Sequence, residues 1–410
     1  MKRISFYLLL MSLPLLGTGQ EMSYSAIVNQ LMSNGPVFQQ TLSHARIEAQ
    51  APYSGSLLEN PEAEAAYYWG DPAAIGHRWD LSISQPFEVP TAYIHKNRMR
   101  QLESRIATSN GLIALVEIIS ETQRLCSDIV YQNALVRLYE ESESRTAALA
   151  ALYEKRMAMG DCSVLDYNRA QLELSTVRNR LASARTLKME LSSQLETLNG
   201  GEPLNFQQDS FLIPESLQPG ASSRYAYRQF FDSVPQTEHT GELLYYQTAR
   251  DRDSLSVLIA QDGWLPRFDI GYASENIVGE TFRGVTLGFS LPLWNNRGKV
   301  NLSRQHSQCS RQDYQNACRR TELTYQTLIR KARLQLENAA ALKQNLETYN
   351  NLNLLSKALD AGEISLESYL MQADFYNNAA LGLLDALHSL DYTIIQLEAS
   401  DLRIIQGSQN

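Results

Sequence analysis

Apolar and polar residues follow two different periods along this chain, and the longer period covers most of it. Between Arg98 and Gly200, good helix formers such as Leu, Ala, Glu, Arg and Gln prevail, and proline is absent. The one break that this composition suggests lies near Gly160. The pattern therefore predicts a helical hairpin over about 90–199 that reverses its direction at Gly160.

The second arm of this predicted hairpin has an apolar residue at every third or fourth position, which is typical of a helix that packs along its whole length. The stripe consists of Val177, Leu181, Ala184, Leu187, Leu191, Leu195 and Leu198. A similar stripe near the C-terminus consists of Ala379, Leu383, Ala386, Leu390, Ile394 and Leu397. It predicts a second helical hairpin over about 298–400, with a first arm that is unbroken up to a turn at Gly362. Arms of ~60 residues reach on the order of 90 Å.

Two shorter stretches alternate with a period of two, which is the pattern of β-strands with one apolar and one polar face. In the segment 284–291 the apolar positions are Val285, Leu287, Phe289 and Leu291, and the positions between them are Gly, Thr, Gly and Ser. Turn-forming residues separate the strands of each pair. We expect β-hairpins over about 62–86 and about 266–292, with strands close to the ~9–11 residues that cross a bilayer when tilted.

The chain also contains a long internal repeat. The segment 155–167 returns as 357–369 without a gap, with Lys, Gly, Ser and Tyr in register. A repeat of this length indicates two similar halves rather than a solenoid. The predicted organisation is a first repeat over 21–214, opening with an N-terminal helix, then a linker over 215–240 and a second repeat over 241–406. The fold class is mainly α with a small β part, in which long helical hairpins form an α-barrel.

Residues 1–20 have the basic, apolar and small-residue parts of a signal peptide, so we expect export. Their apolar part is too short to span a bilayer, and no later stretch approaches the ~20 apolar residues of a transmembrane helix. Any contact with lipid must then come from the strands. The formal net charge of −9 and the absence of a basic patch argue against nucleic-acid binding.

The chain offers no recognisable catalytic or metal chemistry. No serine-hydrolase, phosphate-loop or zinc-protease motif is present, so we predict that the protein is not an enzyme and needs no cofactor. The four cysteines and six histidines are dispersed, which makes a metal site improbable. Cys309 and Cys318 would lie on opposite faces of a helix, which argues against a disulfide between them.

Alternating hairpins could instead cover a soluble core, but three observations favour strands in a membrane. The chain carries an export signal, no other segment supplies a core for the strands, and aromatic residues cluster at the strand ends. These aromatic residues are Tyr67, Tyr68, Trp69, Trp79, Phe282 and Trp294. Because four strands cannot close a barrel, the chain must oligomerise, and a trimer would supply a barrel of twelve strands. Its lumen would be lined by Asp80, Ser82, Asp269, Gly271, Thr286 and Ser290.

The duplication, Pro266, the segment 289–298 and the two turn motifs together resemble the TolC-like outer-membrane efflux proteins. The resemblance implies a homotrimer that forms a passive duct, with a β-barrel in the outer membrane of a Gram-negative bacterium and a helical barrel in the periplasm. It also implies docking of a periplasmic adaptor and a proton-driven inner-membrane transporter. The segment 292–298 looks most similar to the heavy-metal cation branch of the family.

The resemblance further assigns roles to residues at the two turns. The tips that dock the adaptor would be Gly160, Ser163, Val164 and Leu165 in the first repeat and Gly362, Ser365 and Leu366 in the second. Val164, Leu165 and Leu366 would be exposed apolar contacts, although packing of helix against helix would also account for them. A periplasmic gate would use Asp161, Asp166, Glu363 and Glu367, which are equally well explained as solvated surface acids.

Two other functions remain open at this stage. A duct of the same design could serve type I protein secretion instead of efflux of small solutes. Alternatively, the chain could be a structural coiled-coil protein of the periplasm or the cell surface, which explains the helices and the signal peptide. That alternative leaves the alternating hairpins with aromatic ends unexplained.

Overall fold

The computed structural model describes residues 24–204, 206, 211, 240–294 and 296–399. The predicted signal peptide over 1–20 lies outside the described residues, and so does the predicted linker over 215–240 except for its last residue. The architecture is mainly helical with one small antiparallel sheet, which confirms the predicted composition of the fold.

The first half contains two short helices, two strands and two long helices. The helices are α1 (Tyr24–Asn34), α2 (Pro36–Gln50), α3 (Pro90–Ala158) and α4 (Val164–Leu198), and the strands are β1 (Glu62–Trp69) and β2 (His77–Phe87). Helix α3 continues for 69 residues without interruption. Helices α2 and α4 both pack against α3, with the end of α4 next to the start of α2.

The second half repeats this plan, but its long helix is interrupted. Its elements are α5 (Gly241–Asp262), β3 (Arg267–Ile277), β4 (Glu280–Ser290), α6 (Lys299–Thr348), α7 (Leu352–Asp360) and α8 (Leu366–Ala399). The first arm of this hairpin was expected to reach Gly362 unbroken, and that expectation was wrong, because the helix stops after Thr348 and starts again at Leu352. The interrupted stretch is rich in asparagine, which favours non-helical backbone by hydrogen bonding locally.

The four strands form one sheet in the order β1-β2-β3-β4, with every pair antiparallel. The two hairpins are therefore joined edge to edge through β2 and β3, which come from different halves. Because of this pairing, the sheet is continuous from the first repeat to the second. The sheet continues into α3 and α6, the longest helix of each half.

The two longest helices, α3 and α6, are connected through α5 and α8, which contact both of them. Helices α2 and α4 lie on one side of α3, while α5 and α8 lie between α3 and α6. Most of the predicted apolar stripe on α4 is buried, including Val177, Leu181 and Leu195. Leu187 of this stripe is exposed in the single chain, and so is Ala379 of the stripe on α8.

Candidate functional site

The register of the sheet places most of the large apolar residues of the four strands on one face. In the middle of the strands this apolar face carries Ala63, Ala65, Leu81, Ile83, Ile270, Tyr272, Val285 and Leu287, together with the polar residues Ser274 and Arg283. Val285 is 75% exposed and Leu287 is 79% exposed. A sheet of a soluble protein buries its apolar face, so this distribution is the reverse of that pattern.

The opposite face is polar, and along β2 and β3 it is more sheltered than the apolar face. It carries Glu62, Glu64, Arg78, Asp80, Ser82, Ser84, Asp269, Gly271, Glu275, Thr286 and Ser290. Along β2 the polar positions are less exposed than the apolar ones, which is expected of a sheet that curves around its polar face. Arg78 crosses this face and contacts Asp80 at 2.8 Å and Glu275 at 3.0 Å. All of the residues predicted to line a lumen therefore share one face.

The aromatic residues at the loop end of the sheet divide between the two faces. Tyr67, Trp69 and Trp79 lie on the apolar face, as an aromatic girdle at the lipid surface requires. Tyr68 and Phe282 lie on the polar face, so they cannot belong to the predicted girdle. The reason is that neighbouring residues of a strand point to opposite sides, and a cluster in the sequence is split by the pleat.

A second aromatic row lies at the helix end of the sheet and was missed by the sequence analysis. Phe87 is directly opposite Phe268, and Phe268 is directly opposite Phe289. With Trp79 and its neighbours at the other end, the apolar face has aromatic residues at both edges, as membrane barrels have. The strand period places Trp79 and Phe87 on the same face of β2 and at opposite ends of it, so this spacing was a signal for the row in the sequence.

The two tip turns have the same backbone. Gly160 and Gly362 have φ angles of 72° and 74°, in the left-handed region that glycine adopts without strain. In the first tip the N–H of Asp161 bonds to the carbonyl of Arg156 at 2.8 Å, and in the second the N–H of Glu363 bonds to that of Ala358 at 2.9 Å. Each is a Schellman ending of a helix.

The serines that follow these glycines cap the returning helices. Ser163 Oγ accepts a hydrogen bond from the N–H of Asp166 at 3.1 Å, and Ser365 Oγ accepts one from the N–H of Ser368 at 3.2 Å. These contacts satisfy backbone donors that have no partner within the helix. The sequence motif thus builds the same tight reversal twice.

The apolar residues of the two tips differ in their exposure to solvent. Val164 is 53% exposed and Leu165 is 79% exposed, as expected for a docking surface. Leu366 is only 3% exposed, so its prediction as an exposed contact is wrong. It packs in a cluster, here called the tip cluster, that consists of Leu149, Ala150, Tyr153, Ala170, Leu174, Leu359, Leu366 and Tyr369. The tip cluster joins both hairpins, which is why Leu366 is covered.

The four candidate gate carboxylates differ in their local contacts. Asp166 accepts a hydrogen bond from Ser163 Oγ at 2.7 Å, as part of the helix cap. Arg169 lies 3.4 Å from Glu367 and links the two tips. Asp161 lies 3.9 Å from Arg156, and Glu363 is exposed. The structure does not bring these four side chains into one cluster within a single chain.

Polar side chains connect the two halves along α3 and α8, which no sequence motif indicated. Tyr392 donates a hydrogen bond to Asp128 at 2.6 Å, and His388 Nε2 lies 2.8 Å from the same carboxylate. Ser127 donates to the fully buried Asp391 at 2.5 Å. We call this row the polar seam. By contrast, α4 packs on α3 mainly through its apolar stripe.

Burial shifts the pKa of Tyr392 in the polar seam and of Glu398, whose charge interacts with that of Asp391 in the seam. Burial raises the pKa of Glu398, and the neighbouring charge of Asp391 raises it further, while a hydrogen bond from Gln123 acts in the opposite direction. Burial also raises the pKa of Tyr392, and its bond to Asp128 adds to this effect. Both shifts disfavour the charged forms in this interface.

Within the described ranges, no group of three or more His, Cys, Asp or Glu side chains is arranged to hold a metal ion. The four cysteines, Cys126, Cys162, Cys309 and Cys318, are all free thiols. Among the helices that the structure describes, none has the combined length and apolar character needed to span a bilayer.

No protein-family model matches this sequence, and no curated protein is similar to it. Solved structures do match it. The CmeC outer membrane channel of Campylobacter jejuni is 15% identical with a TM-score of 0.70, and the match covers 92% of this chain and 85% of that one. The outer membrane protein VceC of Vibrio cholerae is 12% identical with a TM-score of 0.70, covering 93% and 95%. A membrane protein of Pseudomonas aeruginosa is 13% identical with a TM-score of 0.74, covering 93% and 90%.

The chain therefore has the fold of these membrane proteins, two of which are outer-membrane proteins, and the resemblance noted in the sequence is confirmed at the level of the fold. At such low identity the likeness carries no information on the substrate. In particular, it does not distinguish the heavy-metal branch.

Proposed function

We propose that this chain is one subunit of a trimeric duct in the outer membrane of a Gram-negative bacterium, which passively carries small toxic compounds or metal cations out of the cell. The observation that carries the proposal is the side-chain distribution over the sheet. Its large apolar side chains are exposed from strand β1 to strand β4, and its polar face is sheltered along the two central strands, β2 and β3. Lipid outside and water inside a barrel are the surroundings that this distribution suits.

The free edges of the sheet support assembly from several copies. Within the described chain, β1 pairs only with β2, and β4 pairs only with β3. In hydrocarbon each unpaired N–H or C=O group costs several kcal/mol, so an open edge is not viable. Pairing of β4 with β1 of the next copy would close the sheet.

The helices point to the same arrangement. Helix α3 has neighbours on both sides, namely α2 with α4 and α5 with α8. Its counterpart α6 packs closely only with α5 and α8 among the described helices. In the internal repeat α2 corresponds to α5 and α4 corresponds to α8. The vacant side of α6 therefore corresponds to the side of α3 that α5 and α8 occupy, so the counterparts of α5 and α8 are expected there. The α2 and α4 of a second copy would fit there, and such a head-to-tail contact generates a ring.

The size of the pore favours three copies over two. Two copies would give a barrel of eight strands, whose interior is just filled by side chains and leaves no duct. Three copies would give twelve strands, which lies within the range of known outer-membrane barrels. The sequence resemblance to trimeric efflux ducts points to the same number.

The helical tips would dock a periplasmic adaptor that connects the duct to a proton-driven inner-membrane transporter. Val164 and Leu165 support this role, because they are exposed and apolar at a rigidly capped turn. Leu366 is not included, since the tip cluster covers it. Gly160, Ser163, Gly362 and Ser365 would set the shape of the tips, and the gate role of Asp161, Asp166, Glu363 and Glu367 stays a prediction.

The proposal is tested by placing a charge on either face of one strand. Val285→Arg on the apolar face should prevent insertion, since arginine at the middle of a lipid-facing strand costs about 2–4 kcal/mol. Thr286→Arg, one residue away on the polar face, should insert normally and alter conductance in planar bilayers. Equal insertion of both variants, or a water-soluble monomeric wild type, would overturn the proposal.

The cargo is tested in a deletion strain. Increased sensitivity to copper, zinc or cobalt, or to dyes and detergents, would support efflux of the corresponding class. Retention of an exported protein in the cell, with unchanged sensitivity, would instead support type I secretion.

A further inference from the structure

Among the described strand residues, Arg283 is the only arginine on the apolar face of the sheet. It lies on β4 directly opposite Ser274 of β3, and its side chain is exposed. It stands between the β3–β4 turn and the apolar residues Val285, Leu287 and Phe289, which share its face. A guanidinium group does not lose its proton in proteins, so Arg283 brings a permanent positive charge to this face.

No acidic side chain of the described strands balances this charge. Within the part of the chain that the structure describes, Arg283 takes part in no ion pair. The acids of the four strands all lie on the polar face, and they are Glu62, Glu64, Asp80, Asp269, Glu275 and Glu280. Arg78 lies on that polar face as well, in contact with Asp80 and Glu275. One arginine near the loop end is therefore neutralised, and the other is not.

The strands of a neighbouring copy would not supply the missing partner either. In the ring proposed above, β4 pairs with β1 of the next copy, and the apolar faces of both strands lie on the same side. The apolar face of β1 carries the uncharged residues Ala63, Ala65, Tyr67 and Trp69. Glu62 and Glu64 of β1 lie on the polar face, in any register that keeps the apolar faces together. No strand of the barrel thus provides a counter-charge for Arg283.

The height of Arg283 on the sheet places it towards one surface of the membrane. Phe289 belongs to the aromatic row at the helix end of the sheet, and the strand between it and Arg283 is about 20 Å long. At a tilt of about 40° this is roughly 15 Å along the membrane normal, within an apolar band about 25 Å tall. Long arginine side chains extend along apolar surface to the membrane boundary. The guanidinium group can therefore reach the lipid headgroups at the loop end.

The row of residues next to Arg283, on its loop side, is already suited to headgroups. Asn276 and Thr281 share a hydrogen bond of 3.0 Å on the apolar face. Tyr67 and Trp79 continue the same row on β1 and β2. Tyrosine and tryptophan favour the boundary between apolar and polar surroundings, because one end of each side chain is polar. The apolar part of the lipid-facing surface thus ends close to Arg283.

We propose that Arg283 binds the phosphate group of a glycolipid in the outer leaflet of the membrane. This inference rests on the proposed function, because the loop end faces the outer leaflet only if the helices lie in the periplasm. The anionic glycolipid of that leaflet in Gram-negative bacteria carries phosphates next to its acyl chains. A guanidinium group matches a phosphate with two parallel hydrogen bonds, and Arg283 has no carboxylate that competes for them.

The inference is tested by native mass spectrometry of the detergent-purified protein with added lipid A, the phosphorylated lipid part of that glycolipid. Arg283→Gln should bind lipid A on the order of tenfold more weakly than the wild type, because charge-assisted hydrogen bonds are lost. Arg283→Lys should retain most of the binding. The matched control Arg78→Gln removes an arginine from the polar face at the same end of the sheet, and it should bind lipid A like the wild type.

Dephosphorylated lipid A provides a test on the wild type alone, which should bind it as weakly as Arg283→Gln binds lipid A. Equal binding of both lipids by the wild type, or displacement of lipid A by inorganic phosphate, would overturn the inference. Arg283→Gln should insert into vesicles at least as well as the wild type, since it removes a charge from the apolar face. This insertion shows that its weaker binding does not come from misfolding.

Planar-bilayer recordings separate this inference from the proposed function. A wild type that inserts and conducts current, but does not distinguish lipid A from its dephosphorylated form, would keep the duct and reject the lipid partner. A wild type that stays water-soluble would reject the duct, and the lipid partner with it.

Discussion

The two tips of the molecule share one backbone, but they differ in their exposed side chains and in the continuity of the helix that leads to them. Both turns have a left-handed glycine, a Schellman ending and a serine cap. The first tip exposes Val164 and Leu165 at the end of an unbroken helix. At the matching positions the second tip has the buried Leu366 and the ion-paired Glu367, and its helix is interrupted. The two repeats thus share the glycine and the serine that reverse the chain, but the side chains around these residues differ.

The largest expected effect comes from the matched pair Leu366→Ala and Val164→Ala. Leu366 lies in the tip cluster, so its truncation should lower the free energy of unfolding by about 2–5 kcal/mol. Val164 is exposed, and its truncation should change that free energy by less than about 0.5 kcal/mol. Urea unfolding of the purified protein, followed by circular dichroism, measures both. Equal losses would show that the two positions are not packed differently.

Alanine at the tip glycines should have a smaller effect that is the same in both halves. No atom lies close enough to clash with the added methyl group at Gly160 or Gly362, so the cost comes from the left-handed backbone alone. That cost is roughly 1–2 kcal/mol per residue. Unfolding of each single variant measures it. A clear cost at only one of the two glycines would contradict the shared backbone.

A smaller, pH-dependent effect is expected where the halves meet. Because the pKa of Glu398 is raised in the folded protein, the unfolded chain loses this proton first as the pH rises above about 4.3. Stability should therefore fall from there up to the folded pKa and stay lower above it. Glu398→Gln should remove this slope and stabilise the protein at neutral pH. Thermal unfolding between pH 4 and 8 is the measurement, and an unchanged slope in the variant would contradict this assignment.

The smallest effect on stability, with a selective effect on function, is expected for Leu165→Glu, which copies Glu367 of the second tip into the first. Leu165 is exposed, so unfolding should shift by less than about 0.5 kcal/mol. Export should fall because an apolar contact for the adaptor is lost. Drug or metal sensitivity of a complemented deletion strain measures it. Normal export by this variant would remove the first tip from the docking surface.

Features that depend on a few neighbouring residues could be predicted from the sequence. The reversals at Gly160 and Gly362 follow from turn chemistry within each motif, and the alternation of Val285, Leu287 and Phe289 follows from the strand period. The interruption before Leu352 is also encoded locally, because Asn350 and Asn351 favour non-helical backbone. The sequence prediction did not include it, since that prediction relied on glycine and proline as helix breakers.

Features that depend on distant partners were decided by the tertiary structure. Leu366 and Val164 occupy the same position of the same motif, and only the tip cluster separates a buried residue from an exposed one. Tyr68 and Phe282 lie on the polar face, which only the register of the strands decides. The contact of Asp128 with His388 joins residues that lie far apart in the chain. The sequence by itself determined the elements and turns, because these depend on local backbone preferences, whereas burial and pairing depend on which surfaces meet.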